Sequence, residues 1–138
     1  MKLYLAPLLF FALICNSVSA APTGRIFITN ERGNSVSVIN GASLSVEATI
    51  DVGERPRGIG ISPDGNELYV AVSEENKIKV IDPTSLQILR EFEAGSDPET
   101  FAVHPNGNIY ISNEDDAKAS VFNPKTGEQL AEIHVGLE

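Results

Sequence analysis

Short apolar segments alternate along the chain with turn-forming residues, at spacings that predict β-strands. Residues 68–72 are apolar throughout, which is typical of a strand covered on both faces. Residues 62–65 are Ser-Pro-Asp-Gly, where proline presets a turn and glycine takes the positive-φ position. Arg90, Phe92 and Ala94 alternate with two glutamates, which indicates a strand with one buried face. The pattern therefore predicts short antiparallel strands joined by tight turns.

These signals recur with a period of about 42 residues. Prolines, glycines and aromatic residues repeat at separations of 41 or 42. The repeated positions are Pro56 and Pro98, Pro63 and Pro105, Pro83 and Pro124, the series Gly53, Gly95 and Gly136, and the series Phe27, Tyr69 and Tyr110. Four short strands in one period, with Gly58 and Gly60 small enough for a crowded innermost strand, are typical of a propeller blade. The sequence therefore predicts an all-β fold of β-propeller repeats, each of four antiparallel strands.

The repeat also divides the chain into blades. Residues 24–56 form a partial blade, and complete blades follow at 57–98 and 99–138, so that about 2.75 blades are present. Because closed propellers have about four to eight blades, we expect the chain to be a truncated form of a larger ring. We expect the two open blade faces either to drive self-association or to lower the stability of the chain.

The N-terminus has the pattern of a cleavable signal peptide over residues 1–20. A basic residue is followed by about twelve apolar residues, too few for the roughly twenty of a membrane-spanning helix, and then by Val-Ser-Ala. Cleavage near Ala20 or Ala21 would remove Cys15, the single cysteine, and leave residues 21–138 without disulfides. We therefore expect a protein that is exported to the periplasm and is not held in the membrane.

Three strand ends resemble one repeat family. Residues 27–30 (Phe-Ile-Thr-Asn), 69–72 (Tyr-Val-Ala-Val) and 110–113 (Tyr-Ile-Ser-Asn) resemble the Tyr-Val-Thr-Asn box of the YVTN β-propeller repeat. Residues 54–65 are similar to a subgroup of propellers associated with pyrroloquinoline-quinone (PQQ)-dependent catabolism. The resemblance implies a periplasmic ring of about seven blades that is linked to alcohol oxidation. Val72 departs from the box, because asparagine is usual at its last position.

Composition and motifs limit the chemistry. The chain has 10 basic and 19 acidic side chains and a net charge of −9, which argues against nucleic-acid binding. We expect His104 to be a turn residue and His134 a surface residue, because neither has the partners of a catalytic triad or a metal site. Gly58 and Gly60 lie in a predicted strand with no helix after them, so they form no dinucleotide-binding motif. We therefore predict no catalytic, metal-binding or cofactor-binding residue in this portion of the chain.

Acidic residues cluster in the loop between the second and third strands of each repeat. In an up-and-down blade these loops share one rim of the disc with the links into the innermost strands. Such a charge run is common at solvated turns, and the alternative is a docking face for a basic partner. The candidate binding residues on this rim are Arg55, Arg57, Glu74, Glu75, Glu99, Asp115 and Asp116.

Two functional hypotheses follow. The favoured one is a non-enzymatic binding or scaffold protein associated with PQQ-dependent alcohol catabolism, with a periplasmic oxidoreductase or cytochrome as its partner. The alternative is a portion of a propeller enzyme, either a lactonase-like hydrolase or an oxidoreductase component, whose site residues lie mostly in other blades.

Overall fold

The structure, a computed structural model, describes residues 23–136 and forms eleven β-strands there. The predicted signal peptide, residues 1–20, lies outside the described residues. Within the described range no helix is long and apolar enough to cross a membrane. The strands are β1 (Arg25–Asn30), β2 (Ser35–Asn40), β3 (Ser45–Asp51), β4 (Pro56–Ile61), β5 (Leu68–Val72), β6 (Lys77–Ile81), β7 (Ile88–Glu93), β8 (Pro98–Val103), β9 (Ile109–Asn113), β10 (Lys118–Asn123) and β11 (Glu128–His134).

The strands form three antiparallel sheets, which we call blades 1 to 3. Blade 1 is β1-β2-β3, blade 2 is β4-β5-β6-β7, and blade 3 is β8-β9-β10-β11. Strands that follow each other along the chain are neighbours in every sheet, as in the up-and-down blades of a propeller. The predicted all-β fold of propeller blades is confirmed. Pro56 and Pro98 begin β4 and β8, so each complete blade starts one residue earlier than the repeat predicted.

The core lies between the blades. All five residues of β5 are buried, which confirms the predicted burial on both faces. Because successive side chains of a strand point to opposite faces, Leu68 packs against blade 1 and Tyr69 against blade 3. The buried residues between blades 1 and 2 are Val36, Val38, Ile50, Val52, Leu68, Val70, Val72 and Ile81. Those between blades 2 and 3 are Tyr69, Ala71, Ile78, Val80, Ala94, Ile109, Ile111 and Phe122.

A charged network joins blade 2 to blade 3. Arg90 donates hydrogen bonds from Nη1 and Nη2 to the two carboxylate oxygens of Glu67, at 2.8 and 2.9 Å. Its Nη2 also donates to the carbonyl oxygen of Pro124 at 2.9 Å, and the Tyr69 hydroxyl donates to Glu67 Oε2 at 3.0 Å. The hydrogen bond from Arg90 is the main reason that the pKa of Glu67 lies below its ordinary value of 4.5. The network therefore depends on Glu67 being ionised.

We expect Glu67 to make part of the stability dependent on pH. Because its pKa is depressed in the folded chain, its contribution is fully present above the unfolded value of 4.5 and is lost as the pH falls through the folded value. Glu67→Gln should therefore lower the free energy of unfolding at neutral pH by about 1.5 kcal/mol and make the acid limb less steep. Urea unfolding across the acid range measures both effects.

The matched control is Glu128→Gln. The Glu128 side chain is exposed and has no salt bridge within residues 23–136. Its replacement should leave the stability and its acid limb unchanged. An acid limb equally steep in Glu67→Gln and in the parent chain would contradict the assignment.

Candidate functional site

One edge of the blades carries the loops that follow β1, β5 and β9 and the links that lead to the innermost strands β4 and β8. We call this edge the acidic rim. Backbone hydrogen bonds hold the two kinds of segment together, including those from Ser73 N to Arg55 O at 3.0 Å and from Ala94 N to Asn76 O at 2.8 Å. Asn76 has a φ of 56°, a left-handed conformation that asparagine adopts more readily than most residues. The rim comprises residues 31–34, 52–57, 73–76, 94–99 and 114–117.

Arg55 lies between the blades on this rim. Its Nε is 3.2 Å from Glu31 Oε1 in blade 1, and its Nη1 is 3.4 Å from Glu74 Oε1 in blade 2. The same Nη1 is 3.4 Å from Asp97 Oδ1 in the link to blade 3. The hydrogen bond to Glu31 is the main cause of the raised pKa of Arg55. One guanidinium group therefore connects three successive parts of the rim.

Arg57 makes a second set of ion pairs, towards blade 3. Its guanidinium contacts the carboxylate of Glu99, and its Nη1 is 3.8 Å from Glu114 Oε2. Its backbone carbonyl accepts a hydrogen bond from the Thr29 hydroxyl at 2.8 Å, which links β4 to blade 1. Arg57 and Glu99, both predicted from the sequence as candidate binding residues on this rim, are therefore partners of each other.

Glu75 is also engaged within the rim. Its carboxylate is 2.9 Å from Lys79 Nζ, and it accepts a hydrogen bond from the backbone N–H of Glu54 at 3.2 Å. A side chain used in this way holds the link between blades 1 and 2, and it is poorly placed to bind a partner as well.

Three of the predicted residues are presented to solvent instead. Asp115 and Asp116 are exposed, and neither has a salt bridge to any residue of the range 23–136. The side chain of Glu74 remains 55% exposed despite its long contact with Arg55. The seven candidates thus separate into a structural group, which connects the blades, and an exposed group at the tips of the loops.

The rim also gathers three carboxylates that the sequence did not group. Oxygen atoms of Asp97, Glu99 and Glu114 all lie within 4.8 Å of one another. The sequence predicted no metal-binding residues, and these acids lie as many as 17 residues apart along the chain. Arg55 contacts the first of them and Arg57 contacts the other two, so the cluster is compensated by cationic side chains. This arrangement stabilises the junction of blades 2 and 3.

The last residue of the strand box has a structural role at the same junction. Asn113 is buried, and its Nδ2 donates to the carbonyl oxygens of Ala94 and Ser96, each at 2.9 Å. These carbonyls belong to the link that leaves the preceding blade. In blade 2 the equivalent position is Val72, which is buried in the apolar core instead.

Neither histidine forms an ion pair with a residue of the range 23–136. His104 Nδ1 accepts a hydrogen bond from the backbone N–H of Asn106 at 3.2 Å within a turn, which confirms the predicted turn role. His134 is exposed at the end of β11, as predicted.

Comparison with known proteins identifies the fold. No protein-family model and no curated protein matches the chain. Hydrazine synthase from Kuenenia stuttgartiensis matches with a TM-score of 0.75 and 24% identity, over 82% of this chain and 33% of that one. Dihydro-heme d1 dehydrogenase NirN, in complex with DHE, matches with a TM-score of 0.68 and 18% identity, over 85% and 25%.

A catalytically inactive virginiamycin B lyase from Staphylococcus aureus, with quinupristin, is a further match. Its TM-score is 0.69 at 17% identity, over 80% of this chain and 38% of that one. The chain therefore spans between 25% and 38% of the lengths of these three β-propeller-like structures. At these identities the likeness establishes a propeller-type fold, in agreement with the three sheets.

Proposed function

We propose that this chain is part of an exported β-propeller that acts as a binding or scaffold protein, with the acidic rim as the docking surface for a basic partner. The resemblance of the strand ends to the YVTN repeat supports a periplasmic setting and an association with PQQ-dependent alcohol catabolism. In that setting the partner is a basic cytochrome or an oxidoreductase subunit.

The observation that carries the proposal is the separation of the rim into paired and exposed charges. Arg55 and Arg57 connect loops and links from all three blades through their ion pairs. These contacts position the loop tips relative to one another before any partner binds, which lowers the entropy cost of binding. Asp115 and Asp116 then remain as anionic groups with no cation of residues 23–136 within 4.0 Å.

Binding of a cationic partner to this acidic surface should depend on the salt concentration. The net charge of −9 attracts cationic proteins at long range. The Debye length falls from about 30 Å at 0.01 M salt to about 8 Å at 0.15 M salt. Complex formation through exposed loop tips should therefore weaken steeply as salt is added, mainly through a slower association rate.

The test replaces the exposed pair with cations. The double variant Asp115→Lys, Asp116→Lys should bind a basic c-type cytochrome at least about tenfold more weakly than the parent chain at low salt. The loss follows because two attractive charges become repulsive, while the ion pairs of Arg55 and Arg57 are left intact. Titration calorimetry at low and at physiological salt measures the affinity and its salt dependence.

Two single variants provide a matched comparison. Asp116→Lys and Glu128→Lys change the net charge equally, but Glu128 begins β11 at the opposite edge of blade 3. The first should weaken binding more than the second. Equal weakening in both variants would mean that only net charge matters, and unchanged binding in the double variant would remove the rim as a docking surface.

A second candidate function is a portion of a propeller enzyme. It is favoured by the names of the similar structures, which include a synthase, a dehydrogenase and a lyase. An open depression of about 350 Å³ lies beside the innermost strands and is lined in part by Thr29, Arg57 and Glu99. Residues from further blades could complete a catalytic site with these side chains. Gene sequence beyond codon 138 that encodes channel-facing metal ligands or a haem-attachment motif would favour this alternative over a docking role.

A further inference from the structure

The repeat makes the faces of the three blades equivalent. We call the face that packs on the following blade the trailing face, and the face that packs on the preceding blade the leading face. In blade 2 the trailing face carries Tyr69, Phe92 and Ala94, and the leading face carries Leu68 and Val70. Positions 41 or 42 residues away in the other blades therefore have a known kind of packing partner.

Three apolar residues on the trailing face of blade 3 are exposed, whereas Val121, the equivalent of Val80, is buried. Tyr110 and Val135, the equivalents of Tyr69 and Ala94, are 36% and 49% exposed, whereas Tyr69 and Ala94 are 1% and 0% exposed. Ile133 is the equivalent of Phe92 and is 46% exposed. An apolar surface that blade 2 covers with another blade thus faces solvent in blade 3.

The leading face of blade 1 is exposed in the same way. Ile26 and Ile28 are 45% and 48% exposed, and their equivalents Leu68 and Val70 are 3% and 0% exposed. The exposed side chains are apolar and β-branched, as on the leading face of blade 3, where Ile109 and Ile111 are buried. The two open faces therefore have the chemistry of the two halves of one blade-to-blade interface.

A polar pair matches across these faces as well. Asn113 binds the carbonyl oxygen of Ala94 in the preceding blade. Its equivalent in blade 1 is Asn30, whose Nδ2 donates to the hydroxyls of Ser35 and Ser37 in its own blade, at 3.2 and 2.8 Å. The equivalent of Ala94 is Val135, so Asn30 and the Val135 carbonyl occupy the repeat positions of the donor and acceptor in that inter-blade hydrogen bond.

We propose that a second copy of this chain packs head to tail on the first, with the leading face of one blade 1 against the trailing face of the other blade 3. Asn30 of one copy exchanges its longer hydrogen bond, to Ser35, for one to the Val135 carbonyl of the other. This contact is heterologous and is repeated when the ring closes. Residues 23–136 of two copies supply six sheets, within the range of about four to eight found in propellers, whereas the same residues of three copies would supply nine.

The first test is the mass of the purified chain in solution. Size-exclusion chromatography with light scattering should give twice the monomer mass. Ile28→Lys on the leading face, or Tyr110→Lys on the trailing face, should open the ring and reduce its stability. Leu89→Lys is the matched control, because Leu89 is 50% exposed and belongs to neither open face. A parent chain that is a folded monomer would overturn the proposal.

Mixing the two face variants distinguishes a head-to-tail contact from a symmetric one. Each variant retains one native face, so Ile28→Lys and Tyr110→Lys together should form a one-to-one dimer through a single interface. Each variant alone should be monomeric at the same concentration, with a circular dichroism spectrum like that of the parent. Folded variants that stay monomeric when mixed would contradict the proposal.

A cysteine pair tests the contact without disrupting the core. In a Cys15→Ser background, Asn30→Cys in one chain and Val135→Cys in another should form a mixed disulfide in high yield under mild oxidation. When the Leu89→Cys chain is paired with the Val135→Cys chain, the mixed disulfide should form at least tenfold more slowly. Equal rates for the two pairs would exclude the head-to-tail arrangement, whether or not the lysine variants fold.

Discussion

Replacement of Tyr69 by alanine is expected to lower the free energy of unfolding by about 3–5 kcal/mol. Tyr69 is 1% exposed, and its ring fills the space between blades 2 and 3 beside Ala71, Ile78 and Val80. Its removal would leave a cavity between two sheets, which cannot close without moving one blade against the other. Guanidinium unfolding, followed by far-ultraviolet circular dichroism, measures the loss.

Tyr69→Phe separates the ring from its hydroxyl. This variant keeps the packing and loses the hydrogen bond to Glu67, so we expect a loss of about 1 kcal/mol. Because the ring burial dominates, the alanine variant should lose several times more than the phenylalanine variant. Similar losses in the two variants would mean that the Glu67 network, and not the aromatic ring, holds blades 2 and 3 together.

The equivalent residue in blade 3 shows how burial depends on the neighbouring blade. Tyr110 occupies the same repeat position as Tyr69 but is 36% exposed. The apolar pattern predicts burial on both faces for residues 68–72, whereas the number of repeats predicts an open face on each end blade, and Tyr110 lies on the open face of blade 3. Within residues 23–136, blades 1 and 3 each have one neighbouring blade. Burial therefore depends on the position of a repeat in the stack, which its local sequence does not contain.

The fold was predictable from the sequence because each repeat contains the turn and strand signals of one blade. Proline and glycine fix the turns, and apolar runs between them fix the strands, so blade order follows from the spacing alone. The alternation of Phe92 and Ala94 with glutamates in and after β7 was likewise sufficient to predict which side chains face the core. These features depend on residues that are close together along the chain.

The pairing of the rim charges was not predictable in this way. Arg55 contacts Glu31 and Asp97, which are 24 and 42 residues away along the chain. The direction of the Arg55 side chain depends on a left-handed backbone conformation, with a φ of 60°, that a non-glycine residue rarely adopts. The sequence therefore identified an acidic rim, but only the assembled blades separate its connecting charges from the exposed Asp115 and Asp116.

Gly58→Ala is the second substitution with a large expected effect, and its expected sign is opposite to the general rule. In a strand, alanine is usually better than glycine, because it reduces the conformational freedom of the unfolded chain. A Cβ at Gly58, however, would lie 2.6 Å from the carbonyl oxygen of Glu99 and 3.1 Å from the Cα of Thr100. These are backbone atoms of β8, so the clash can be relieved only by separating the innermost strands of blades 2 and 3.

We expect Gly58→Ala to lower the free energy of unfolding by about 1–3 kcal/mol. Gly136→Ala is the control, since a Cβ there would have no heavy atom of the described residues within 4 Å, and its effect should stay within about 0.5 kcal/mol. Urea unfolding of both variants measures the difference. The close approach of β4 and β8 also brings Arg57 to Glu99, so the salt dependence of stability should change in Gly58→Ala and not in Gly136→Ala. A Gly58→Ala chain as stable as the parent would show that β4 and β8 are not in close contact, and with that the prediction of a crowded innermost strand would be wrong.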